Sequence, residues 1–355
     1  MRLRDRYILI LNAVSKKTVL FTFLLVAFVP TAFSQQARFQ TIQYRWYTDE
    51  EPCDRVYKSP TDRIRSLREG LAHRVGIIEG ESRTCVPRNS PGYNSIYGST
   101  GTFVGRAGTS NATLVGDGNG GYALLVSLHS LVDDDGIFES EKFMFFPDAV
   151  ATEPRLEIDV DEDQLVKQEL IGENFGVNSK KVKVEDDWAL IPLSSPLKWV
   201  GAKPGFNPKP FKLTASNKED FFSGPSKKVF AVGNAKPLGE TQPCLSRQGP
   251  YDPFQLSSKN ISPASLRMGR DPKSYDGDTF GVASDAVPGN SGTPYFSLDD
   301  GQLSIRGITS LASDLHEDYY PAEIQGRRRH TAVTMISDKV IEAYKRAMET
   351  SRGSR

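Results

Sequence analysis

Ser284 to Phe296 reads SDAVPGNSGTPYF, and at its centre a serine stands between glycines, Gly289-Asn290-Ser291-Gly292. Short strings of Gly, Asn and Ser are ordinarily tight turns. The same spacing also suits a nucleophile. A serine that attacks a carbonyl needs backbone N–H groups aimed at the oxygen that becomes negative. Gly289 can adopt dihedrals that turn its N–H towards that of Ser291, and Gly292 leaves room for a substrate to approach.

A nucleophilic serine needs a base, and the base needs an orienting acid. The chain holds four histidines, His73, His129, His316 and His330. His129 follows the apolar run YALLVSL, where that strand should end, and Ser130-Leu131 after it suggests a short turn of helix. His73 lies in a polar N-terminal stretch, and His316 and His330 lie in charged stretches after the serine. The acid comes from KVEDDWALIPL. Asp187 directly precedes Trp188-Ala189-Leu190, the start of an apolar strand that would hold a carboxylate against an imidazole, and Asp186 beside it is the alternative.

These residues need a rigid frame. From Val75 onward, short β-rich runs alternate with Gly, Pro, Asn and Asp: TGTFVG, NATLVGDGNGGYALLVSLHSLV, KFMFFP, DWALIPL, KKVFAVGN, GTPYFSL and LSIRGITSLAS. Such spacing predicts a β-barrel or sandwich. The one strong helical pattern is SDKVIEAYKRAMET, with Val340, Ile341, Tyr344 and Met348 on one face and Ser337 as cap. Gly116 to Gly121, GDGNGG, joins two strand-like runs and opens no helix, so it reads as a hairpin turn rather than a dinucleotide loop. Asp159 to Leu170 starts like a calcium loop but has Gln164 and Leu170 where Gly and Glu are required, so it reads as a solvated acidic loop. Gly326 to His330, GRRRH, reads as a solvated basic face.

The chain has 355 residues, 38% of them hydrophobic, with 30 Gly and 22 Pro, which suits a loop-rich β protein. Lys plus Arg equals Asp plus Glu at 44 each, so nothing points to a nucleic-acid partner. The N-terminus is basic up to Lys17; Thr18 to Val29 is then a twelve-residue apolar run, followed by Pro30 and a small-x-small pattern at Ala32 and Ser34. A bilayer span needs about 20 apolar residues, so residues 1–34 read as a secretory signal peptide rather than an anchor. Its removal takes five basic residues and one acidic residue, leaving a net charge of −4. Residues 35–74 read as an N-terminal extension or pro-segment, with a short helix over Thr61 to Arg74. Cys53, Cys85 and Cys244 make an odd count, which in an oxidising compartment predicts one disulfide and one spare thiol, with the pairing open. No CxxC or Cys/His cluster suggests zinc, and no cofactor is implied.

The chain order His129, Asp187, Ser291 is that of the chymotrypsin/trypsin-like serine proteases. VSLHSLV resembles that family's histidine motif, DDWALIPL its aspartate motif, and PGNSGTP its serine motif. Ser99 to Gly105, STGTFVG, is similar to the strand that precedes the histidine, and Gly307 to Ser313, GITSLAS, to the strand that pairs with substrate. The resemblance runs over residues 75–350 and implies an all-β fold of two six-stranded antiparallel barrels with a C-terminal helix at 338–350. Barrel one would span about 75–200 and barrel two about 205–336.

The same resemblance implies a secreted or periplasmic endopeptidase with His129, Asp187 and Ser291 as its catalytic residues. The N–H groups of Gly289 and Ser291 would form the oxyanion hole, and Thr309, Ser310, Leu311 and Ala312 would bind an extended peptide by main-chain hydrogen bonds. Asp285, six residues before Ser291, stands where trypsins place the acid that binds a basic side chain. The expected partner is a protein or peptide substrate of a monomer, with no stable membrane contact once the signal is removed. Several residues depart from the pattern. Ser130 replaces the usual cysteine after the histidine, and Asn290 stands where trypsins carry the aspartate that binds a freed N-terminal ammonium. Arg74 to Gly80, RVGIIEG, resembles an activation sequence, but Asn290 cannot form that ion pair. PGNSGTP looks more like the bacterial and glutamyl-endopeptidase branch, yet Thr309 falls near the place of that branch's substrate-binding histidine, so glutamate specificity is not supported. The rival reading is a catalytically inactive homologue that binds peptides or proteins. Another rival, a membrane-tethered interaction protein, would follow from an uncleaved N-terminus.

Overall fold

The computed structural model describes residues 84–85, 96–105, 108–132, 138, 142–147, 154–173, 184–223, 228–234, 245–255, 277–282, 284, 286, 289–299, 302–314 and 329–353. They belong to one compact unit, Asp49–Arg355. Residues 1–34 and 35–74, Arg74 to Gly80, Cys53, Cys244, Asp285, His73 and His316 lie outside the described residues.

The strands in chain order are β1 (Thr84–Cys85), β2 (Thr100–Val104), β3 (Thr109–Gly116), β4 (Tyr122–Val126), β5 (Lys142–Phe146), β6 (Leu156–Asp159) and β7 (Ala189–Leu193), then β8 (Val229–Asn234), β9 (Leu245–Tyr251), β10 (Phe254–Gln255), β11 (Thr279–Val282), β12 (Pro294–Asp299), β13 (Gln302–Asp314) and β14 (Arg329–Met335). The helices are α1 (Glu162–Lys167), α2 (Lys218–Ser223) and α3 (Asp338–Gly353). The strands form two curled antiparallel sheets. The first has six strands in the order β6-β5-β2-β3-β4-β7. The second has eight, in the order β1-β9-β8-β12-β13-β14-β11-β10. Its two edge strands are only two residues long, which leaves six substantial ones. Thr84–Cys85, inside the span expected for the first barrel, pairs with β9 of the second sheet, setting Cys85 opposite Ser246.

Alternation along the strands assigns side chains to the cores. In β6, Leu156 and Ile158 are buried between exposed Glu157 and Asp159. In β12, Tyr295 packs with Phe280, Val282 and Val333 inside the second sheet, whereas its neighbour Phe296 faces the larger core that the two sheets share. Phe103 stacks on Phe143 at 4.9 Å in the first sheet. Helix α3 lies on β4 and β7 and buries Val340, Ala343, Tyr344, Ala347 and Met348, a 3–4 spacing that lines one helical face. The Tyr344 hydroxyl donates to the Gly116 carbonyl at 2.7 Å, and burial pushes its phenol up to about 12. Gly116 to Gly121 is a hairpin turn, its Asp117 carboxylate accepting from the N–H groups of Asn119 and Gly121.

One surface reading needs correction. Asp159 to Leu170 is not a solvated loop. It holds the end of β6 and helix α1, whose first turn is capped by the Asp161 carboxylate accepting from Gln164 N at 3.0 Å. The helix forms because Asp161 can cap while Leu165 is buried behind it. Within Gly326 to His330, the backbone of Arg329 and His330 begins β14 and pairs with Asp314 and Ser313 of β13. No helix among the described residues is long and apolar enough to cross a membrane.

Candidate active site

Register alone brings two of the three expected residues together. β4 and β7 pair antiparallel, with Val126 opposite Ala189. The residues that follow β4 and those that precede β7 must therefore emerge at the same end of the sheet. After β4 the chain makes one turn of 3-10 helix at Leu128–Ser130, anchored by fully buried Leu128 and closed by Ser130 N donating to the Ser127 carbonyl at 3.0 Å. That turn presents His129. Before β7, a matching turn at Val184–Asp186 presents Asp187. The Thr334 hydroxyl of β14 donates to the Val184 carbonyl at 2.5 Å and ties this turn to the second sheet.

The Asp187 carboxylate is 2% exposed and receives three donors. Its Oδ1 accepts from the His129 backbone N–H at 2.9 Å. Its Oδ2 accepts from His129 Nδ1 at 2.7 Å and from the Ser310 hydroxyl at 2.5 Å. Burial by itself would raise the Asp187 carboxyl, but the facing imidazole and the hydrogen bonds outweigh it and hold the group below its ordinary range. An ionised carboxylate only accepts, so the His129 Nδ1–H donates to it and Nε2 is the ring nitrogen left facing Ser291. Nε2 lies 2.7 Å from the Ser291 hydroxyl. Asp186 does not join this chain; its charge, with that of Glu173 at 3.0 Å, helps hold the Lys339 ammonium up.

Ser291 sits in the loop ahead of β12, and both flanking glycines are left-handed, Gly289 at φ 97° and Gly292 at φ 76°. Four backbone bonds hold the loop. Asn111 N donates to the Ser291 carbonyl at 2.7 Å, Gly292 N to Thr309 at 2.8 Å, Thr293 N to Asn290 at 3.0 Å and Thr309 N to Thr293 at 2.9 Å. No described residue accepts from the N–H of Gly289 or of Ser291. The Ser127 hydroxyl adds a fifth tie, donating to the Thr309 carbonyl at 2.8 Å.

This bonding corrects one expected substrate contact. The main-chain groups of Thr309 are occupied by Thr293, Gly292 and Ser127, so Thr309 cannot offer them to a peptide. The Ser310 side chain belongs to the Asp187 cluster. Leu311 and Ala312 pair with Ala332 and Thr331 of β14, while the pairing of β13 with β12 ends at Ile308. The segment from Ser310 onward thus has β14 on one side and no described strand on the other. Asn111 and Thr334 are part of the site's bonding yet stand in no family motif, and Ser127 and Ser310, though inside the histidine and substrate-strand motifs, bond to Thr309 and Asp187 in ways those motifs do not announce. Only the fold shows where they reach.

No protein-family model matches the chain, and no curated protein matches it. Among solved structures, it is similar to a thermostable serine protease, AL20, from an extremophilic microorganism, at 14% identity and a TM-score of 0.43, over 73% of this chain and 100% of that one. It is similar also to the protease Anisep from Arthrobacter nicotinovorans, at 12% identity and a TM-score of 0.44, over 72% and 97% of the two chains. A third likeness is to the secreted serine protease VesC from Vibrio cholerae, at 13% identity and a TM-score of 0.43, over 72% of this chain and 46% of that one. With its two curled antiparallel sheets and its closing helix, the chain has the two-barrel fold of the trypsin-like serine proteases.

Proposed function

We propose that the chain is a serine endopeptidase. The observation that carries this reading is the continuous relay from Ser291 Oγ to His129 Nε2 and from His129 Nδ1 to Asp187 Oδ2, both steps at 2.7 Å. Ser291 Oγ attacks the peptide carbonyl as His129 Nε2 takes its proton. Asp187 keeps the imidazole in the correct tautomer and stabilises the imidazolium. Charge on the carbonyl oxygen is met by the N–H groups of Gly289 and Ser291. The intermediate collapses to an acyl-enzyme as His129 returns the proton to the leaving amine, and a water deprotonated by His129 then releases the acid. An extended peptide lies along the open edge of β13 at Ser310 to Ala312, strand to strand. Asp285 would favour a basic side chain at the cleaved bond. The reading extends to export through residues 1–34, with residues 35–74 as a pro-segment.

Labelling with a fluorophosphonate probe tests the reading, with Ser291→Ala as control. The expected result is labelling of the wild-type chain that vanishes in the variant. Wild-type chain that stays unlabelled both before and after limited cleavage near Arg74 would overturn the enzyme and leave the peptide-binding homologue. N-terminal sequencing of the exported protein tests the signal cut, and a peptide library tests the basic preference.

A further inference from the structure

We infer that Asn111 is a positioning residue that sets the shape of the oxyanion loop from the opposite sheet. This inference rests on the proposed role of Ser291 as nucleophile. Asn111 lies on β3 of the first sheet, opposite Thr102, and is 1% exposed. It grips three of the four residues from Gly289 to Gly292. Its side-chain Nδ2 donates to the Gly289 carbonyl at 3.1 Å. Its backbone N–H donates to the Ser291 carbonyl at 2.7 Å. Its own carbonyl oxygen lies against Gly292, only 2.1 Å from where a Cβ would stand.

The side-chain bond is the distinctive part. Two left-handed glycines make this loop permissive, since neither has a Cβ to limit its dihedrals. The dihedrals of Gly289 that set the peptide after it are not limited by a Cβ. A rotation would turn the Gly289 carbonyl out of its place and swing its dipole towards the space that a developing oxyanion needs. The Asn111 amide opposes this by holding that carbonyl. A carbonyl only accepts, so the contact requires the NH₂ end of the amide. The other end, Oδ1, lies 3.2 Å from where a Cβ on Gly233 would stand, so Gly233 leaves the room that the amide occupies. Ionised aspartate at position 111 would keep the shape, lose the donor and set a negative charge beside the loop.

The test compares the full chain with Asn111→Ala, Asn111→Ser and Asn111→Asp. For each, the rate of fluorophosphonate labelling, kcat and KM on a cleaved peptide, the unfolding midpoint and hydrogen exchange across residues 286–294 are measured. Removing a direct oxyanion donor lowers kcat about 10²- to 10³-fold. Loosening the loop should cost less, about 10- to 100-fold in labelling and kcat. KM should change by less than about twofold and exchange at residues 289–293 should rise, with Asn111→Asp the most affected. Folded variants with wild-type labelling and kcat would overturn the inference. So would a loss of activity matched by the loss of folded protein, or a failure of every variant to fold, because Asn111 would then be structural only. If the wild-type chain itself does not label, the enzyme reading fails separately. Exchange then decides the loop: faster exchange in a folded variant upholds the role of Asn111, and unchanged exchange overturns it.

Discussion

The hydroxyl of Ser310 donates to Asp187 Oδ2 at 2.5 Å, the same oxygen that accepts from His129 Nδ1. The two residues are 123 positions apart in sequence, Ser310 on β13 of the second sheet and Asp187 just ahead of β7 of the first. The carboxylate that orients the imidazole is therefore itself oriented from the second sheet. Replacing Ser310 with Ala removes one donor from a buried, charged acceptor, which costs about 1.5–3 kcal/mol. Urea unfolding at pH 7 should show this loss. It should shrink in strongly acidic solution, where the carboxyl is protonated.

Asp187→Asn should leave the fold intact and lower kcat by about 10³- to 10⁴-fold, because an amide cannot fix the imidazole tautomer in the same way. KM should move little. Steady-state kinetics on any peptide the chain cleaves would check this, and an unchanged kcat would remove Asp187 from the relay.

Acid stability follows from the same carboxylate. Its folded-state pKa lies below the ordinary 3.8. The folded state therefore binds its proton less readily than the unfolded chain does. The stabilisation is full above pH 3.8 and is lost as the pH falls through the lower folded value. Wild-type stability should fall across this acid window, and the fall should be smaller in Asp187→Asn. Urea midpoints from pH 5 down to pH 2 would measure both.

Gly292→Ala should be damaging for two reasons. Position 292 is left-handed, which costs a non-glycine residue about 1–3 kcal/mol, and the added methyl would stand 2.1 Å from the Asn111 carbonyl. The loop must move to admit it. Thermal unfolding should shift down, and fluorophosphonate labelling should drop more than the loss of folded protein explains.

Ser351, near the C-terminus, is fully buried. Its hydroxyl accepts from Tyr122 N at 3.0 Å and donates to the Leu193 carbonyl at 2.5 Å, bridging the ends of β4 and β7. Ser351→Val would leave both backbone groups buried without that partner, at about 1–3 kcal/mol each. Those strands carry His129 and Asp187, so the unfolding midpoint should fall while kcat per folded molecule stays near wild type.

Much of this protein was legible in its residues. β2, β5, β7, β8 and α3 stand where short apolar runs or a 3–4 periodicity placed them, because burial on one face imposes its period on the sequence. Ser291, His129 and Asp187, which the fold brings into one hydrogen-bonded chain, could be picked out because the proposed chemistry needs particular residue types beside particular elements. Strands β9, β11 and β14 and helix α1 were not legible. Arg329 and His330 stand in a charged string with no strand period, and only the pairing of β14 with β13 makes them strand. The grip of Asn111 on Gly289 and of Ser310 on Asp187 also came only from tertiary structure. Each joins residues more than a hundred positions apart through one short side chain. Local sequence records a side chain's chemistry and its period of burial. Which distant carbonyl or carboxylate it reaches depends on how the two sheets meet, and no neighbouring residue carries that information.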